Sequence, residues 1–489
     1  MKWAANAVNS AKMSFGAEPS TPSRFLSSAV PKPRVSRPNI LLIIADDHRA
    51  DAIGATGHPA VLTPHLDGLA RRGTRFTRAT IGGGLMAAVC SPSRASLFTG
   101  LHPFRADAAP GLVRIPHYEV QIPEAACTLP QHFRAEGYET FFSGKWHNDL
   151  PALLRSFEQG MDIFHGGMCE HDRVPVRDMD EIRRGAPERI GTAFSTELFC
   201  RATGDFIRAR SDSRPFFACV ALTSPHDPRT PPAAFRELYD PETLPLPRNF
   251  RPEHGFDNGE LTIRDECLLP HPLSPASVRE HLADYYGMIS HHDAWIGQLL
   301  NTLEDTGQID HTIVVYVSDH GLALGSHGLV GKQNLYEHSV RVPLILAGPG
   351  VPHAACHAGL VYSYDLFPTL CELAGFSAPA GLDSRSLVPA FDTGAAPIRD
   401  TVGAAYMDAQ RMVSDGRWKL VVYRVRGSER VQLFDLQEDP DECVDLAANP
   451  AHAPRMEELW VKLRAWQADA RDRWLQETAA GEPTHCSTR

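Results

Sequence analysis

Long uninterrupted runs of apolar residues recur along this chain and alternate with stretches whose apolar residues return every three or four positions. A continuous apolar run bounded by polar residues is typical of a strand buried on both faces of a parallel sheet. The three- to four-residue repeat is typical of an amphipathic helix. The pattern predicts strands at 39–45, 76–81, 140–143, 215–222, 312–318 and 344–347, and helices at 63–73, 128–136, 195–210, 276–306 and 364–374. Strands alternating with helices predict a doubly wound α/β core, with a large mixed, mostly parallel sheet between layers of helices.

The last part of the chain has a different pattern. Short strands are predicted at 412–414, 418–423 and 432–436, followed by an amphipathic helix at 455–473, which indicates a small antiparallel sheet covered by a helix. We therefore predict three regions. They are an N-terminal extension at 1–37, a main α/β domain at 38–380 and a C-terminal subdomain at 381–489.

Two stretches show no clear periodicity. Residues 1–37 are rich in Ala, Ser and Pro and lack the continuous apolar core of a secretory signal, so we predict disorder. The default expectation is a cytoplasmic protein; a misassigned start with export stays open, as does a transit peptide in the basic run 24–37. Residues 150–190 are predicted to be irregular, either a loop that lines a binding pocket or a surface insertion.

Composition narrows the class of protein. The 489 residues include 48 basic and 59 acidic side chains, a net charge of -11 that argues against non-specific binding to nucleic acid. No run of about 18 apolar residues occurs, so no membrane-spanning helix is predicted. The 10 cysteines show no short repeated spacing, which favours neither a disulfide scaffold nor a zinc site.

Charged side chains follow several predicted strands at the point where each strand ends. Asp46 and Asp47 follow the first strand, and Asp319 and His320 follow the strand at 312–318. In open α/β sheets this carboxyl edge is where ligands bind. One of the first two acids could simply cap the next segment, but two adjacent carboxylates favour a divalent cation.

A second candidate site begins at Cys90. Pro92 suits the first turn of a helix, so Cys90 lies at a helix N-terminus, where the helix dipole favours an anion. Arg94 lies one turn further along the same face. A sulfur nucleophile, an anion-friendly helix end and an arginine together indicate an oxyanion site.

Two motifs resemble the type I sulfatases of the alkaline phosphatase-like superfamily. The first reads Cys90, Pro92, Ser93, Arg94, Leu97, Phe98, Thr99 and Gly100, and the second is Gly-Tyr-Glu-Thr-Phe-Phe-Ser-Gly-Lys-Trp-His at 137–147. The resemblance covers roughly 38–450 and implies hydrolysis of a sulfate monoester by the domain at 38–380. In that family a maturation enzyme oxidises the motif cysteine to formylglycine, whose hydrate is the nucleophile.

The resemblance also implies roles for individual residues. Formylglycine at position 90 attacks sulfur with Asp319 as the base, and Lys145 and Lys332 bind the sulfate oxygens. His226 and Lys332 assist departure of the alcohol, and His147 then helps to expel sulfate. Arg94 of the first motif is the remaining residue that the resemblance implies to be catalytic.

The implied metal site holds one divalent cation, with Asp46, Asp47, Cys90, Asp319 and His320 as ligands. The usual family pair at the last two positions is Asp-Asn. The Asp-His form resembles a subset that includes iduronate and choline sulfatases and phosphonate monoester hydrolases. Calcium is expected, and the imidazole makes manganese an alternative, with magnesium also open.

The substrate is less defined. His171, Asp172 and Arg229 are candidate contacts to a sugar. The stretch 318–343 resembles sulfatases that act on sulfated glycans, which implies a sulfated glycan or another sulfated alcohol as the substrate. A phosphonate monoester or phosphodiester hydrolase of the same fold is the alternative. An unmodified, inactive anion-binding protein is the remote alternative, because every expected catalytic position is filled.

Overall fold

The protein is described here from a computed structural model that covers residues 37–109, 119–211, 213–392 and 394–475. These residues form a large α/β core and a smaller sheet. In chain order the strands are β1 (Asn39–Ala45), β2 (Gly73–Thr80), β3 (Gly83–Gly84), β4 (Glu139–Lys145), β5 (Gln159–Phe164), β6 (Pro175–Val176), β7 (Arg189–Ile190), β8 (Phe216–Ala221), β9 (Thr312–Ser318), β10 (Arg341–Ala347), β11 (Ala355–His357), β12 (Val361–Tyr362), β13 (Val402–Tyr406), β14 (Gln410–Ser414), β15 (Trp418–Val425) and β16 (Ser428–Asp435).

The helices connect and cover these strands. They are α1 (Pro64–Arg72), α2 (Cys90–Thr99), α3 (Pro103–Ala106), α4 (Leu129–Ala135), α5 (Leu150–Ser156), α6 (Met179–Arg183), α7 (Ser195–Ala209), α8 (Ala233–Arg236), α9 (Pro275–Asp305), α10 (Glu337–Val340), α11 (Leu366–Leu373) and α12 (Ala453–Ala470). The predicted helices of the core therefore all form, with ends that agree to within about three residues.

The main sheet has 9 strands in the order β11-β2-β10-β9-β1-β8-β4-β5, with β12 also paired to β2. Strand β10 runs antiparallel to both of its neighbours, and the other pairings described for this sheet are parallel. This is the mixed, mostly parallel sheet that the sequence predicts. The carboxyl ends of β1, β4, β8 and β9 therefore lie at one edge.

Alternate residues of β1 face two different hydrophobic cores. Ile40, Leu42 and Ile44 pack into one core with α2, α4, α5 and α11. Leu41 and Ile43 pack into the other with α1, α7 and α9. Because a strand alternates its side chains between two faces, an uninterrupted apolar run is what a strand covered by helices on both sides requires.

The smaller sheet has 5 strands in the order β16-β15-β14-β13-β3. Strands β13 to β16 form an antiparallel meander, and Leu459 and Leu463 of α12 pack against it, as the sequence predicts. Strand β3 comes from the segment just before Cys90 and pairs in parallel with β13. Strand β3 therefore connects the smaller sheet directly, along the chain, to the candidate nucleophile Cys90.

A buried ion cluster also joins the smaller sheet to the core. Lys419 of β15 is fully buried, and its Nζ lies 2.9 Å from Oε1 of Glu337 and 2.8 Å from Oε1 of Glu442. Burial alone would lower the pKa of Lys419, but the two carboxylates raise it. The lysine is therefore charged, and it holds the N-terminus of α10 against the sheet.

The prediction that residues 150–190 are irregular is wrong. This stretch contains α5, β5, β6, α6 and β7, and β5 pairs with β4 in the main sheet. Strand β5 is an edge strand whose first residues alternate between exposed and buried, so it lacks a continuous apolar run. Asp149 caps α5 by accepting a hydrogen bond from the Ala152 N–H.

Some expectations are not decided by the fold. The predicted disorder at the N-terminus falls on residues 1–36, which lie outside the described part of the chain, and the boundary at 380/381 stays a prediction. Within the described residues no helix is long and apolar enough to cross a bilayer. The nine cysteines in those residues all carry free thiols.

Candidate active site

The parallel register of the central strands gathers most of the predicted site residues at one edge of the sheet. Asp46 and Asp47 directly follow β1, and Asp319 and His320 directly follow β9. Lys145 is the last residue of β4. These side chains are 2% exposed or less, so the cluster of charges is enclosed by protein.

Cys90 occupies the N-terminus of α2 and is buried. Its Sγ lies 3.2 Å from Nε2 of His320 and 3.5 Å from Nζ of Lys332. Burial raises the pKa of the Cys90 thiol, but Lys145, Lys332 and His320 outweigh burial and hold that pKa well below its usual value. Position 90 is therefore built to carry negative charge.

Arg94 joins three of the strand ends. Its Nε donates to Oδ2 of Asp319 at 2.8 Å, and its Nη1 donates to the carbonyl oxygen of Lys145 at 2.7 Å. Its Nη2 lies 3.9 Å from Oδ2 of Asp46. The guanidinium is completely buried, so it contributes positive charge and fixes the position of α2 relative to the sheet.

Four side chains could hold a cation. Ligand atoms of Asp46, Asp47, Cys90 and His320 all lie within 4.8 Å of one another. Oδ1 of Asp46 and Oδ2 of Asp47 are buried and have no hydrogen-bond partner among the described residues. Buried carboxylate oxygens are seldom left unpaired, so the donor set fits a divalent cation.

Asp319 borders this group. Its Oδ1 lies 3.6 Å from Nε2 of His320 and accepts a hydrogen bond from the Asp47 N–H at 3.2 Å. Burial raises the pKa of Asp319, but His320 and Arg94 outweigh it, so the carboxyl is ionised. Burial, together with the negative charge of Asp319, raises the pKa of Asp46 to about 7.

Two residues of the site have backbone conformations that side chains rarely adopt. The φ angle is 68° at Asp47 and 56° at His147, both in the left-handed region. The hydroxyl of Tyr285 donates to the carbonyl oxygen of Asp47 at 2.7 Å and helps to hold this turn. Such strain concentrates at functional sites, where the surrounding structure fixes it.

Lys145 and His147 project from the end of β4. Nζ of Lys145 lies 2.5 Å from Oδ2 of Asp46. Neither ring nitrogen of His147 has a hydrogen-bond partner among the described residues, and Gly167 lies against the ring. Burial and the charge of Lys145 lower the pKa of His147 to about 4. His147 is therefore neutral near pH 7 and able to accept a proton.

His226 lies in the loop after β8 and has the opposite character. Its Nδ1 lies 2.7 Å from the carbonyl oxygen of Asp227. Burial and Lys332 lower the pKa of His226, but Asp47 and Asp227 outweigh them and raise it to about 9. His226 is therefore protonated near pH 7 and able to donate a proton.

The three predicted sugar contacts differ in position. Arg229 is buried in the His226 loop, with Nη2 3.8 Å from Oδ2 of Asp47. His171 is buried beneath that loop, with Nδ1 2.7 Å from Oγ of Ser195 and Nε2 3.0 Å from the carbonyl oxygen of His226. Asp172 is exposed. Contact of a substrate with these side chains stays a prediction.

Several neighbours of the site were not identified from the sequence. Arg264 binds both carboxylate oxygens of Asp227, and Arg229 donates to Nε2 of His281. His281 lies in α9, and its neighbours in the sequence give no signal for this pairing. The sequence does give a signal for Gly167, which lies against His147. It belongs to a Gly-Gly pair between two elements, and such a pair indicates close approach of the backbone to another group.

The chain is similar to known proteins over most of its length. The sequence profile described as Sulfatase matches residues 38–376, and the profile described as N-sulphoglucosamine sulphohydrolase, C-terminal, matches residues 325–469. An ulvan-active sulfatase of Formosa agariphila is 30% identical over 365 residues, which cover 72% of this chain and 64% of that protein. The choline-sulfatase of Rhizobium meliloti is 30% identical over 446 residues, which cover 85% of this chain and 83% of that protein.

The fold is also that of a solved structure. The phosphonate monoester hydrolase of Agrobacterium radiobacter superposes with a TM-score of 0.69 at 23% identity, covering 89% of this chain and 96% of that one. This likeness shows the alkaline phosphatase-like fold. The sulfatase profile spans well over half of the sequence and includes both motifs. The chain therefore belongs to the sulfatase family of sulfuric ester hydrolases.

Proposed function

We propose that this enzyme hydrolyses the sulfate monoester of a sugar, with formylglycine made from Cys90 as the nucleophile and one divalent cation as cofactor. The observation that carries the proposal is the setting of Cys90. Its Sγ lies at a helix N-terminus, 3.2 Å from His320 and 3.5 Å from Lys332, within a buried cluster of charged side chains.

Asp46, Asp47, Asp319, His320 and the modified residue at position 90 would hold the cation. Calcium suits the carboxylate ligands, and manganese is the alternative because one ligand is an imidazole. The cation would supply Lewis-acid polarisation of a sulfate oxygen and neutralise charge that develops there.

The charges of the site support binding of an anionic ester. The carboxylates of Asp46, Asp47 and Asp319 face four cationic groups, those of Arg94, Lys145, Arg229 and Lys332. A protonated His226 and a bound cation would add further positive charge. Fixed positive charge in a site that excludes water stabilises the transition state of sulfuryl transfer.

In the proposed reaction each proton transfer is carried out by a different side chain. One hydroxyl of the hydrated formylglycine attacks sulfur, and Asp319 accepts its proton. The ester S–O bond breaks, and His226 donates a proton to the departing alcohol, assisted by Lys332. Neutral His147 removes the proton of the second hydroxyl, the C–O bond to sulfate breaks, and the aldehyde reforms. Water then adds to the aldehyde and restores the hydrate.

The substrate proposal takes support from the relatives. One is named as a sulfatase active on ulvan, and the other is named as a choline-sulfatase. We favour a sulfated sugar because His171, Asp172 and Arg229 lie in or beside the loop that carries His226. A formylglycine-generating enzyme is the partner that this chemistry requires.

The first experiment tests the nucleophile. The full chain is produced with a formylglycine-generating enzyme, and the peptide that contains Cys90 is analysed by mass spectrometry. We expect a loss of about 18 Da from conversion of the thiol to an aldehyde, calculated from that covalent change. The peptide with Cys219, a buried thiol outside the motif, is the internal control and stays unchanged.

Activity is measured on the same preparation, with Cys90→Ala as the matched variant. We expect sulfate release from sulfated sugars by the converted enzyme and none by the variant. An unconverted Cys90, beside a known sulfatase that is converted in parallel, would refute the proposed nucleophile. Faster turnover of a phosphonate monoester than of every sulfate ester would instead identify a phosphonate hydrolase.

A further inference from the structure

One guanidinium nitrogen of Arg229, a cationic side chain beside the active site, has no hydrogen-bond partner among the described residues. Its side chain is only 2% exposed. Nε donates to the carbonyl oxygen of Pro225 at 3.3 Å, and Nη1 donates to Nε2 of His281 at 2.5 Å. Nη2 is buried and has no hydrogen-bond partner among the described residues. The 3.8 Å between Nη2 and Oδ2 of Asp47 is too long for a hydrogen bond.

The carboxylates near this guanidinium are already paired with other cations. Oδ1 of Asp47 accepts a hydrogen bond from Nζ of Lys332 at 2.8 Å, and Oδ2, which forms only the 3.8 Å ion pair with Nη2, is a candidate ligand of the cation. Asp227 is held through both oxygens by Arg264. His281 does not supply a charge either, because burial and Arg229 lower its pKa to about 3 and leave it neutral.

The rest of the side chain is rigidly supported. The guanidinium lies over the ring of Tyr285, 5.6 Å from its centre, and its Nη1 is hydrogen-bonded to His281. Such a planar group loses little conformational freedom when it binds an oxygen anion. A buried N–H without a partner is rare in folded proteins, so the unused Nη2 indicates a ligand.

The position of Nη2 identifies where that ligand lies. Arg229 follows His226, the proposed proton donor to the leaving alcohol, by three residues in the same loop. Ligand atoms of Asp47, His226 and Asp227 lie within 4.8 Å of one another, and Nη2 faces the Asp47 member of that group. Nη2 is therefore on the leaving-group side, where the sugar that carries the sulfate ester would sit.

We propose that Arg229 binds a second anionic group of the substrate, a carboxylate or an additional sulfate on the sulfated sugar. This inference rests on the proposed function. It narrows the substrate class to acidic or multiply sulfated sugars. Choline sulfate fits this site poorly, because its quaternary ammonium would meet the guanidinium at close range.

The test compares substrates that differ by one charge. Steady-state kinetics of the converted enzyme are measured on a monosulfated N-acetylhexosamine, the same sugar with a second sulfate, a monosulfated uronate, 4-nitrophenyl sulfate and choline sulfate. The variants are Arg229→Met, Arg229→Lys and the control Arg236→Met, which removes an arginine that also pairs with α9 but lies outside the site.

We expect Arg229→Met to lower kcat/KM about tenfold to a hundredfold on the sugars with a second anion, mainly by raising KM. The loss of kcat/KM on 4-nitrophenyl sulfate, which has no second anion, should be several times smaller than the loss on those sugars, and Arg229→Lys should recover part of the latter loss. A loss on the disulfated sugar alone would identify the second anion as sulfate, and a loss on the uronate alone would identify it as carboxylate.

Three results would overturn the inference. An equal loss on all substrates, including 4-nitrophenyl sulfate, would make Arg229 a positioning residue for Asp47. Wild-type preference for choline sulfate or for the monosulfated neutral sugar would remove the second anion from the substrate. Absence of sulfate release from every ester by the converted wild-type enzyme would refute the proposed function itself, and the inference with it.

Discussion

The contact between Gly167 and His147 gives a sharp test of the role of His147. A Cβ atom at Gly167 would lie 2.7 Å from Nε2 and 2.9 Å from Cε1 of the His147 ring. Ordinary van der Waals contact begins at about 3.4 Å, so Gly167→Ala requires the ring to move by about 0.7 Å. The φ angle of Gly167 is not in the left-handed region, so the backbone itself tolerates alanine.

The size of the effect follows from that displacement. A misplacement of about 1 Å can cost roughly a hundredfold in rate, so 0.7 Å predicts a loss of about 25-fold. If His147 removes the proton that expels sulfate, the loss falls on breakdown of the covalent intermediate. Stopped-flow measurements with 4-nitrophenyl sulfate should then show a burst of nitrophenol near one equivalent, followed by slow steady-state turnover.

A matched variant separates the local contact from a general effect. Gly255 also has no left-handed φ, and a Cβ there would meet nothing within 4 Å, so Gly255→Ala should keep wild-type kinetics. Both variants should unfold at the wild-type temperature to within about 2 °C, because neither changes the core. Wild-type kcat for Gly167→Ala, or a slow step without a burst, would refute the assigned role of His147.

Three further predictions concern the cation and the buried charges. Asp47→Asn should lose the bound divalent cation, measured by elemental analysis of the dialysed protein, and cation binding after chelation should return to the wild type but not to this variant. Lys419→Met leaves the buried Glu442 without its cation and removes one partner of the half-buried Glu337, and it should cost about 3–5 kcal/mol in urea unfolding. The control Lys462→Met, whose ion pairs are part-exposed, should cost less than about 1 kcal/mol. Asp293 accepts hydrogen bonds at the start of α1, and burial raises its pKa to about 7, so the folded state holds a proton that the unfolded chain has released. Stability should therefore fall as pH rises from about 4 to 7, by up to about 1.4 kcal/mol per pH unit, and Asp293→Asn should remove this part of the slope in urea titrations at each pH.

The order of the main elements was predictable because their burial is recorded in uninterrupted apolar runs. Strand β9 was predicted at its observed ends, since each of its residues faces a covered surface. The charged side chains at the carboxyl ends of β1 and β9 followed from the same pattern. Parallel strands put their ends at one edge, so residues 270 positions apart become neighbours without any local signal.

The elements that were missed depend on partners distant in the sequence. Strand β3 consists of two glycines, and its extended form is defined by pairing with β13. Strand β5 is half exposed at the edge of the sheet, where the pattern is weak. The pairing of Arg229 with His281 joins a loop to α9 across 52 positions. Such contacts are set by the packing of whole elements, which the local sequence does not encode.

The burial of Cys90 in the folded protein limits the period in which another enzyme has direct access to its thiol. Its neighbours His320 and Lys332 follow it by 230 and 242 positions. At the usual ribosomal rates of about 5–20 residues per second, these side chains are made roughly 10–50 s after Cys90. During that interval the thiol has neither neighbour. An oxidising enzyme that needs direct access to Cys90 must therefore act on the nascent or reopened chain, before the last third of the protein closes over it.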